Sequence, residues 1–343
     1  MLYIGLDVHY RSSAMCILNN NGKVVKEIHI RDGLPKVLAT LRALKQRFAI
    51  CYEASCGYGV LYDGLRGLAK RIVVAHPGQL RLIFKAKKKS DRVDAKKLAL
   101  LLYLDQVPQA YVPSVNVREW RSLIEFRHRL VGKRTRAKNS LRSLLRGQGI
   151  HYVRGRSLWT HKGRTWLAGL ELPVSVALQR DLLLEEFDRL NKQILRVEQT
   201  LDDQAEQQSG VALLRTIPGV GVRTAEAVVA YIADPKRFSR NRTIGSYFGL
   251  VPCLDQSAGL GRFGHITREG PPTVRKLLVE ATWQGIRRST ILRRYFERIQ
   301  RGERDRRKIA LVATAHHLAR VMLAMLTTGE IWRHDGAGRM VAA

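Results

Sequence analysis

Carboxylates are in short supply in this chain. Its 343 residues carry 29 Asp and Glu against 60 Lys and Arg, a formal net charge of +31. A charge that large opposes compaction by self-repulsion unless a polyanion neutralises it, so the composition predicts DNA or RNA as a partner and an affinity that falls steeply with salt. Cysteine is scarce too. Cys16, Cys51, Cys56 and Cys253 form no C-x-x-C pair, which speaks against a zinc ribbon and supplies no disulfide framework; a reduced, cytoplasmic setting is the expectation. No run reaches the ~18 uninterrupted apolar residues of a bilayer-spanning helix. Asp7 and His9 interrupt the first apolar segment, so neither a membrane span nor a signal peptide is expected. A Walker A loop is also missing, which argues against nucleotide hydrolysis. The apolar content of 45% is enough for two or three domains with a sizeable core.

What is there begins with short β-prone runs at 2–7, 14–18 and 24–30, separated by polar turns such as Asn20-Asn21-Gly22. Three strands so close together predict an antiparallel meander. A helix over 34–47, a strand over 50–53, a helix over 59–70, a strand over 72–75 and a further helix follow. This is the element order of an RNase H-like domain, and it predicts an α/β unit over 1–112. Residues 113–207 read as helical: a basic helix over 115–147, then one over 174–207. In the second, Leu183, Phe187, Leu190, Ile194, Val197 and Leu201 step by four and three, a coiled-coil seam. The seam suits a subunit contact or a hairpin with the preceding basic helix, and the spacing does not choose. Residues 208–330 read as mostly helical with a Gly-rich irregular stretch over 245–272, and 331–343 as a frayed tail.

Against so basic a background four acids stand out. Asp7 and Glu53 each end an apolar strand, and neighbouring strands would bring them to one sheet edge. Asp91 and Asp94 are three apart after a plausible N-cap, Ser90, so a helix presents both on one face. Taken singly, each is an ordinary turn or helix-start charge. Together they suit two Mg²⁺ ions about 4 Å apart, the arrangement that stabilises attacking and leaving oxygens in phosphodiester chemistry. Carboxylate oxygens are the right donors for Mg²⁺, with Mn²⁺ a second possibility. Lys87, Lys88 and Lys89 adjoin the pair and could guide a phosphate backbone, as could Arg127, Lys133, Arg134, Arg136, Lys138 and Arg142 on the basic helix.

Further on, Ile217-Pro218-Gly219-Val220-Gly221 predicts a helix-hairpin-helix turn. Gly219 and Gly221 would permit the tight turn and expose backbone N–H groups to a phosphate; an ordinary pair of antiparallel helices is the plainer alternative. Ser257 lies in the Gly-rich stretch, where a serine can reach a phosphate if its alkoxide is stabilised. Arg262, Arg268 and Arg275 are candidates for that electrostatic role. On composition alone Ser257 is a turn residue and His265 a structural one.

From residue 1 to about 330 the chain resembles the DEDD insertion-sequence transposases related to the Piv DNA invertase, the one-hundred-and-ten insertion-sequence family. The resemblance is carried by Gly5-Leu6-Asp7-Val8-His9, Tyr52-Glu53-Ala54, Ser90-Asp91-Arg92-Val93-Asp94-Ala95, the Ile217–Gly221 turn, Gly249-Leu250-Val251-Pro252, Ser257-Ala258-Gly259 and His265-Ile266-Thr267-Arg268-Glu269-Gly270. It implies a RuvC-like N-terminal domain, a helical coiled-coil middle and a C-terminal transposase domain. It assigns the acidic quartet to Asp7, Glu53, Asp91 and Asp94 and the nucleophile to Ser257. It also implies recombination of donor and target DNA guided by a non-coding bridge RNA, in homodimers that join into homotetramers, with the metal domain of one subunit facing the serine domain of another. Ala258 departs from the pattern of many relatives, which carry glycine directly after the serine; Ser246 and Ser239 are more distant alternatives. A RuvC-like Holliday-junction nuclease, a Piv-like site-specific invertase and a non-catalytic binding protein are the competing readings.

Overall fold

The structure is a computed structural model that describes residues 1–55, 57–83, 90–152, 157–257 and 260–333, with backbone alone at 82, 255–257 and 260–262. The chain divides into two compact units, Met1–Arg118 and Glu119–Ala343.

The first unit is built on β1 (Leu2–Val8), β2 (Ser12–Leu18), β3 (Val24–Arg31), α1 (Gly33–Arg42), β4 (Phe48–Glu53), α2 (Tyr58–Leu65), β5 (Arg71–Ala75), α3 (Pro77–Ile83) and α4 (Asp91–Tyr103). The five strands form one sheet in the order β3-β2-β1-β4-β5. β1, β2 and β3 pair antiparallel, as the close spacing of three β-prone runs predicts, while β1, β4 and β5 run parallel. The central strands are buried almost throughout, with Ile4, Leu6, Ile50 and Cys51 at 0% exposure. α1 and α2 share a core with Ile4, Leu6, Ile50 and Tyr52 through Val37, Leu41, Leu61 and Leu65. Cys51, Val73, Cys16 and Leu18 pack instead with Ala95, Leu98, Ala99 and Leu102 of α4, consistent with strand side chains alternating between faces.

α4 lies unusually close to the sheet because β1 carries a glycine opposite it. A Cβ on Gly5 would stand 2.0 Å from the Ala95 carbonyl oxygen and 2.3 Å from the Ala99 nitrogen. The contact is therefore backbone on backbone, with only alanines on the helix side. Helices α1 and α2 end earlier than the sequence pattern predicts, at Arg42 and Leu65; Gly67, at φ +84°, lies just past the second. The expected boundary at 112 falls six residues inside this unit, because Arg118 belongs to it: its guanidinium pairs with Asp63 and donates to the Pro113 carbonyl at 2.6 Å.

The second unit is helical apart from one hairpin. Its elements are α5 (Val115–Gly147, whose first turn lies in the first unit), α6 (His161–Ala168), α7 (Val174–Glu206), α8 (Ser209–Leu214), α9 (Val222–Ile232), α10 (Thr243–Tyr247), β6 (Pro252–Ser257), β7 (Leu260–Ile266), α11 (Pro272–Arg288), α12 (Thr290–Gln300) and α13 (Arg307–Thr328). The expected boundary at 207 crosses a continuous core, in which Leu201 and Ala205 of α7 pack with Val211, Leu214 and Val228. The α7 seam meets α5 of the same chain: Leu190 and Ile194 pack on Leu130, with Val131 and Val197 beside them. Arg127 pairs with Glu198 and Arg134 donates to the Asn191 side chain at 3.0 Å, which fixes the register. Of the two arrangements the spacing allows, the helical hairpin is the one formed within the chain.

The stretch over 245–272 is irregular only in part among the described residues. β6 and β7 pair antiparallel with Ser257 opposite Leu260, so the described backbone forms a two-stranded ribbon. α13 is the one helix among the described residues with the length and composition to cross a bilayer, at a mean hydropathy of 1.6, yet half of that apolar window is buried within the chain. Ala315, Leu318, Ala319 and Met322 place it in the core of this unit.

Two outcomes follow from these contacts. Gly5→Ala should lower stability by about 1–3 kcal/mol, the usual cost of overpacking, measured by chemical denaturation; an unchanged midpoint would refute the close approach of α4. Leu190→Ala should cost about 2–5 kcal/mol with a denaturation midpoint independent of protein concentration. A midpoint that climbs with concentration would place the seam at a subunit contact.

Candidate active site

Parallel pairing of β1 with β4 sets Leu6 opposite Tyr52, so Asp7 and Glu53, one residue further on, leave the sheet at the same edge. α4 starts over this edge. Ser90 takes the N-cap position with extended backbone, though its hydroxyl makes no capping bond, and the Asp94 amide donates to the Ser90 carbonyl at 2.9 Å. The first turn of α4 thereby presents Asp91 and Asp94, and the tight seat on Gly5 holds that turn at the sheet.

Asp7 feels the charge of the other three carboxylates, while Glu53 and Asp94 stand outside the close group that its ligand atoms form with His9 and Asp91. Burial pushes the Asp7 carboxyl above its ordinary value; Asp91, Asp94 and Glu53 push the same way, while His9 opposes them. His9 Nε2 lies 3.4 Å from Asp7 and 3.6 Å from Asp91. Ligand atoms of Asp7, His9 and Asp91 all lie within 4.8 Å of one another. Asp94 faces the Lys97 ammonium at 3.4 Å. A cluster of like charges in a partly buried edge is unfavourable until a cation shares it. Hard oxygen donors suit Mg²⁺, and an imidazole nitrogen at the rim is compatible with Mn²⁺. His9 was absent from the site residues expected from sequence. The available signal was its position two residues after Asp7, just past the end of β1.

Ser257 is the last residue of β6, at the end of the ribbon; its side chain and Ala258-Gly259 lie outside the described residues, as do Lys87, Lys88 and Lys89. The stem of the ribbon is firmly set. Gly249 (φ +63°) and Gly270 (φ +69°) sit where a Cβ would collide with the backbone of Glu269 and Tyr247. The Thr267 amide donates to the Val251 carbonyl at 2.9 Å. Arg275 donates to the carbonyls of Phe248 and Glu269, at 2.9 and 2.8 Å, and so ties both ends of the stem to α11. Its guanidinium serves the protein rather than an open phosphate site. Arg268 is exposed with φ +57°. Arg262 pairs with Asp255 in the backbone register, its side chain outside the described residues.

The other cations divide in the same way. Arg127 and Arg134 hold α7, as above. Lys138 lies over the rings of Trp159 and Phe187, at 4.9 and 5.2 Å, and burial lowers its pKa. Arg142 donates to the Asn139 side chain at 3.2 Å and lies 5.7 Å over Trp159. Lys133 and Arg136 are exposed. In the turn between α8 and α9, Gly219 (φ +93°) packs against α11, where a Cβ would meet the Gly285 nitrogen at 2.4 Å; Gly221 has open space and caps α9. Gly219 therefore permits helix packing, and Gly221 alone faces outward. Arg223, just inside α9, is bound by Asp202 and by buried Glu226, whose carboxyl burial pushes up to about 7. A basic run unweighed in the sequence lies at 287–308, with ten Lys and Arg against Glu297, Glu303 and Asp305; Arg294, Arg298, Arg301 and Arg304 are exposed there.

Comparison with known proteins matches both units. Residues 4–149 match the DEDD transposase family model, and residues 211–297 match the model described as the transposase IS116/IS110/IS902 family. The transposase for insertion sequence element IS1111A of Coxiella burnetii is 25% identical over 337 residues, covering 96% of this chain and 91% of that protein. The transposase for insertion sequence element IS1328 of Yersinia enterocolitica is 23% identical over 332 residues, covering 96% and 98%. With an acidic sheet edge in the segment of the first model and the serine ribbon in that of the second, the chain belongs to the IS110 family of insertion-sequence transposases.

Proposed function

We propose that the protein cuts and rejoins DNA by transesterification, with Asp7, Glu53, Asp91 and Asp94 as the metal-holding group and Ser257 as the nucleophile. The observation that carries this reading is the gathering of carboxylates around Asp7 at one edge of the sheet. Magnesium bound there would supply Lewis-acid polarisation of the scissile phosphate. Ser257 Oγ attacks phosphorus and gives up its proton, and the 3′ oxygen leaves with a proton, so one P–O bond forms as another breaks. A 3′ hydroxyl of the partner strand then attacks the phosphoserine link, and the serine oxygen regains its proton. Bond energy is conserved, so ATP is not needed. The ribbon stem held by Gly249, Gly270 and Arg275 suits a serine that must be presented in a fixed direction. His9 orients Asp7 and Asp91 through its Nε2.

Choice of sequence fits base pairing to a bridge RNA, in which the protein reads backbone and shape; the +31 charge supports this part of the reading. Homodimers joining into homotetramers complete the proposal. Small RNA co-purifying with the protein from its native locus, complementary to both donor and target, is the expected finding.

Ser257→Ala should abolish a covalent protein–DNA adduct on a denaturing gel while nucleic-acid binding persists. An adduct of undiminished yield removes Ser257 from the mechanism, and hydrolysed ends with no adduct from the unaltered protein favour a junction nuclease. A second outcome concerns charge. The raised pKa of Asp7 means that its contribution to stability is lost as pH rises above the ordinary aspartate value. In EDTA near pH 7, Asp7→Asn should therefore melt at or above the temperature of the unaltered protein. Added Mg²⁺ should raise only the latter's melting temperature and should support strand transfer only there. Equal metal-induced shifts, or strand transfer in EDTA, would contradict the metal assignment.

A further inference from the structure

A cavity of about 1160 Å³ opens beside the acidic edge, on the side of the sheet that carries α1 and α2. It exceeds the roughly 300–1,000 Å³ of an ordinary small-molecule cleft, so a polymer segment fits it better than a metabolite. His9 belongs to its lining and also touches Asp7 and Asp91, so the cavity and the carboxylates share a wall. Leu34 and Leu61 give it an apolar floor.

Its rim has a different composition. Tyr10 is 94% exposed, in the turn between β1 and β2, and makes no ring contact among the described residues. Arg11 and Arg31 stand beside it, both exposed and neither in an ion pair among the described residues. Arg118, Arg127, Arg164 and Arg223 are paired with acids, whereas Arg11 and Arg31 bring two guanidinium forks with no ion pair among the described residues to one cavity rim. The carboxylate among the lining residues is Asp32. An aromatic face, two guanidinium groups and an apolar floor are the elements that hold a single polynucleotide strand: bases stack on rings, and cations track the backbone. A base inside a duplex offers only its edges, so stacking on Tyr10 requires an unpaired one.

The geometry points to a subsite for the unpaired DNA strand that flanks the scissile phosphate, with Tyr10 stacking a base and Arg11 and Arg31 binding its phosphates. This inference rests on the reading of the acidic edge as a DNA-cutting centre, but its test does not use the cutting reaction. The full chain is irradiated in EDTA with oligonucleotides carrying 5-iodouracil, as single-stranded DNA, duplex DNA and single-stranded RNA, and the labelled residue is located by tandem mass spectrometry. Single-stranded DNA should label Tyr10 at least about tenfold more than duplex DNA or RNA does. The double variant Arg11→Gln/Arg31→Gln should lower that labelling about tenfold. Lys23→Gln/Lys26→Gln, at the other end of β3, should leave it unchanged. Absence of label on Tyr10, equal label from duplex or RNA, or indifference to the arginine substitutions would overturn the subsite. Asp7→Asn should keep the label; a protein that labels at Tyr10 yet forms no DNA adduct would count against the proposed reaction and not against the subsite.

Discussion

The contact between α4 and β1 at Gly5 sets the rest of the first unit. Two acids come from the ends of β1 and β4, which pair in parallel, but the other two come from a separate helix. The helix seated directly on the strand brings its first turn to that edge. Backbone contact through a glycine and two alanines achieves this without a layer of side chains between. Rigid seating would serve the proposed metal site, since a metal group must be held within a fraction of an ångström of its working geometry.

The excess of positive charge is not one undifferentiated surface. Part of it is structural. Arg127 and Arg134 fix α5 against α7, Arg275 fixes the ribbon stem, and Arg180, 8% exposed, donates to carbonyls at the end of α6. The remainder, including Lys133, Arg136, Arg294, Arg298, Arg301 and Arg304, is exposed and available to a polyanion. Charge counting alone merges these two groups, although only the second contributes to the salt dependence of binding.

Much of the first unit was legible in the sequence. Three closely spaced β-prone runs marked the meander, and Asp91 and Asp94 could be placed on one helical face from their spacing. The adjacency of β1 and β4 was not readable, since pairing is a tertiary choice. Nor was the role of Gly5, because the obstacle it avoids is the backbone of a helix some ninety residues away. The ribbon around Ser257 was missed because the sequence between its two strands, Ala258-Gly259, lacks the Asn-Gly or Asp-Gly signal of a two-residue hairpin, and the glycines nearby in sequence read as an irregular segment. Gly249 and Gly270 proved to be the fixed points of that segment. The helical seam was readable as a pattern, but its partner was not, since a heptad spacing is satisfied equally by a neighbouring helix and by a second chain.

The central claim is that Asp7, Glu53, Asp91 and Asp94 share a divalent cation. Its most direct test is an anomalous-difference map from crystals of the full chain grown with manganese. The account predicts a peak at coordination distance from Asp7 and Asp91, enclosed by Glu53 and Asp94. A clean map at that edge, from protein that joins DNA strands with manganese in solution, would contradict it.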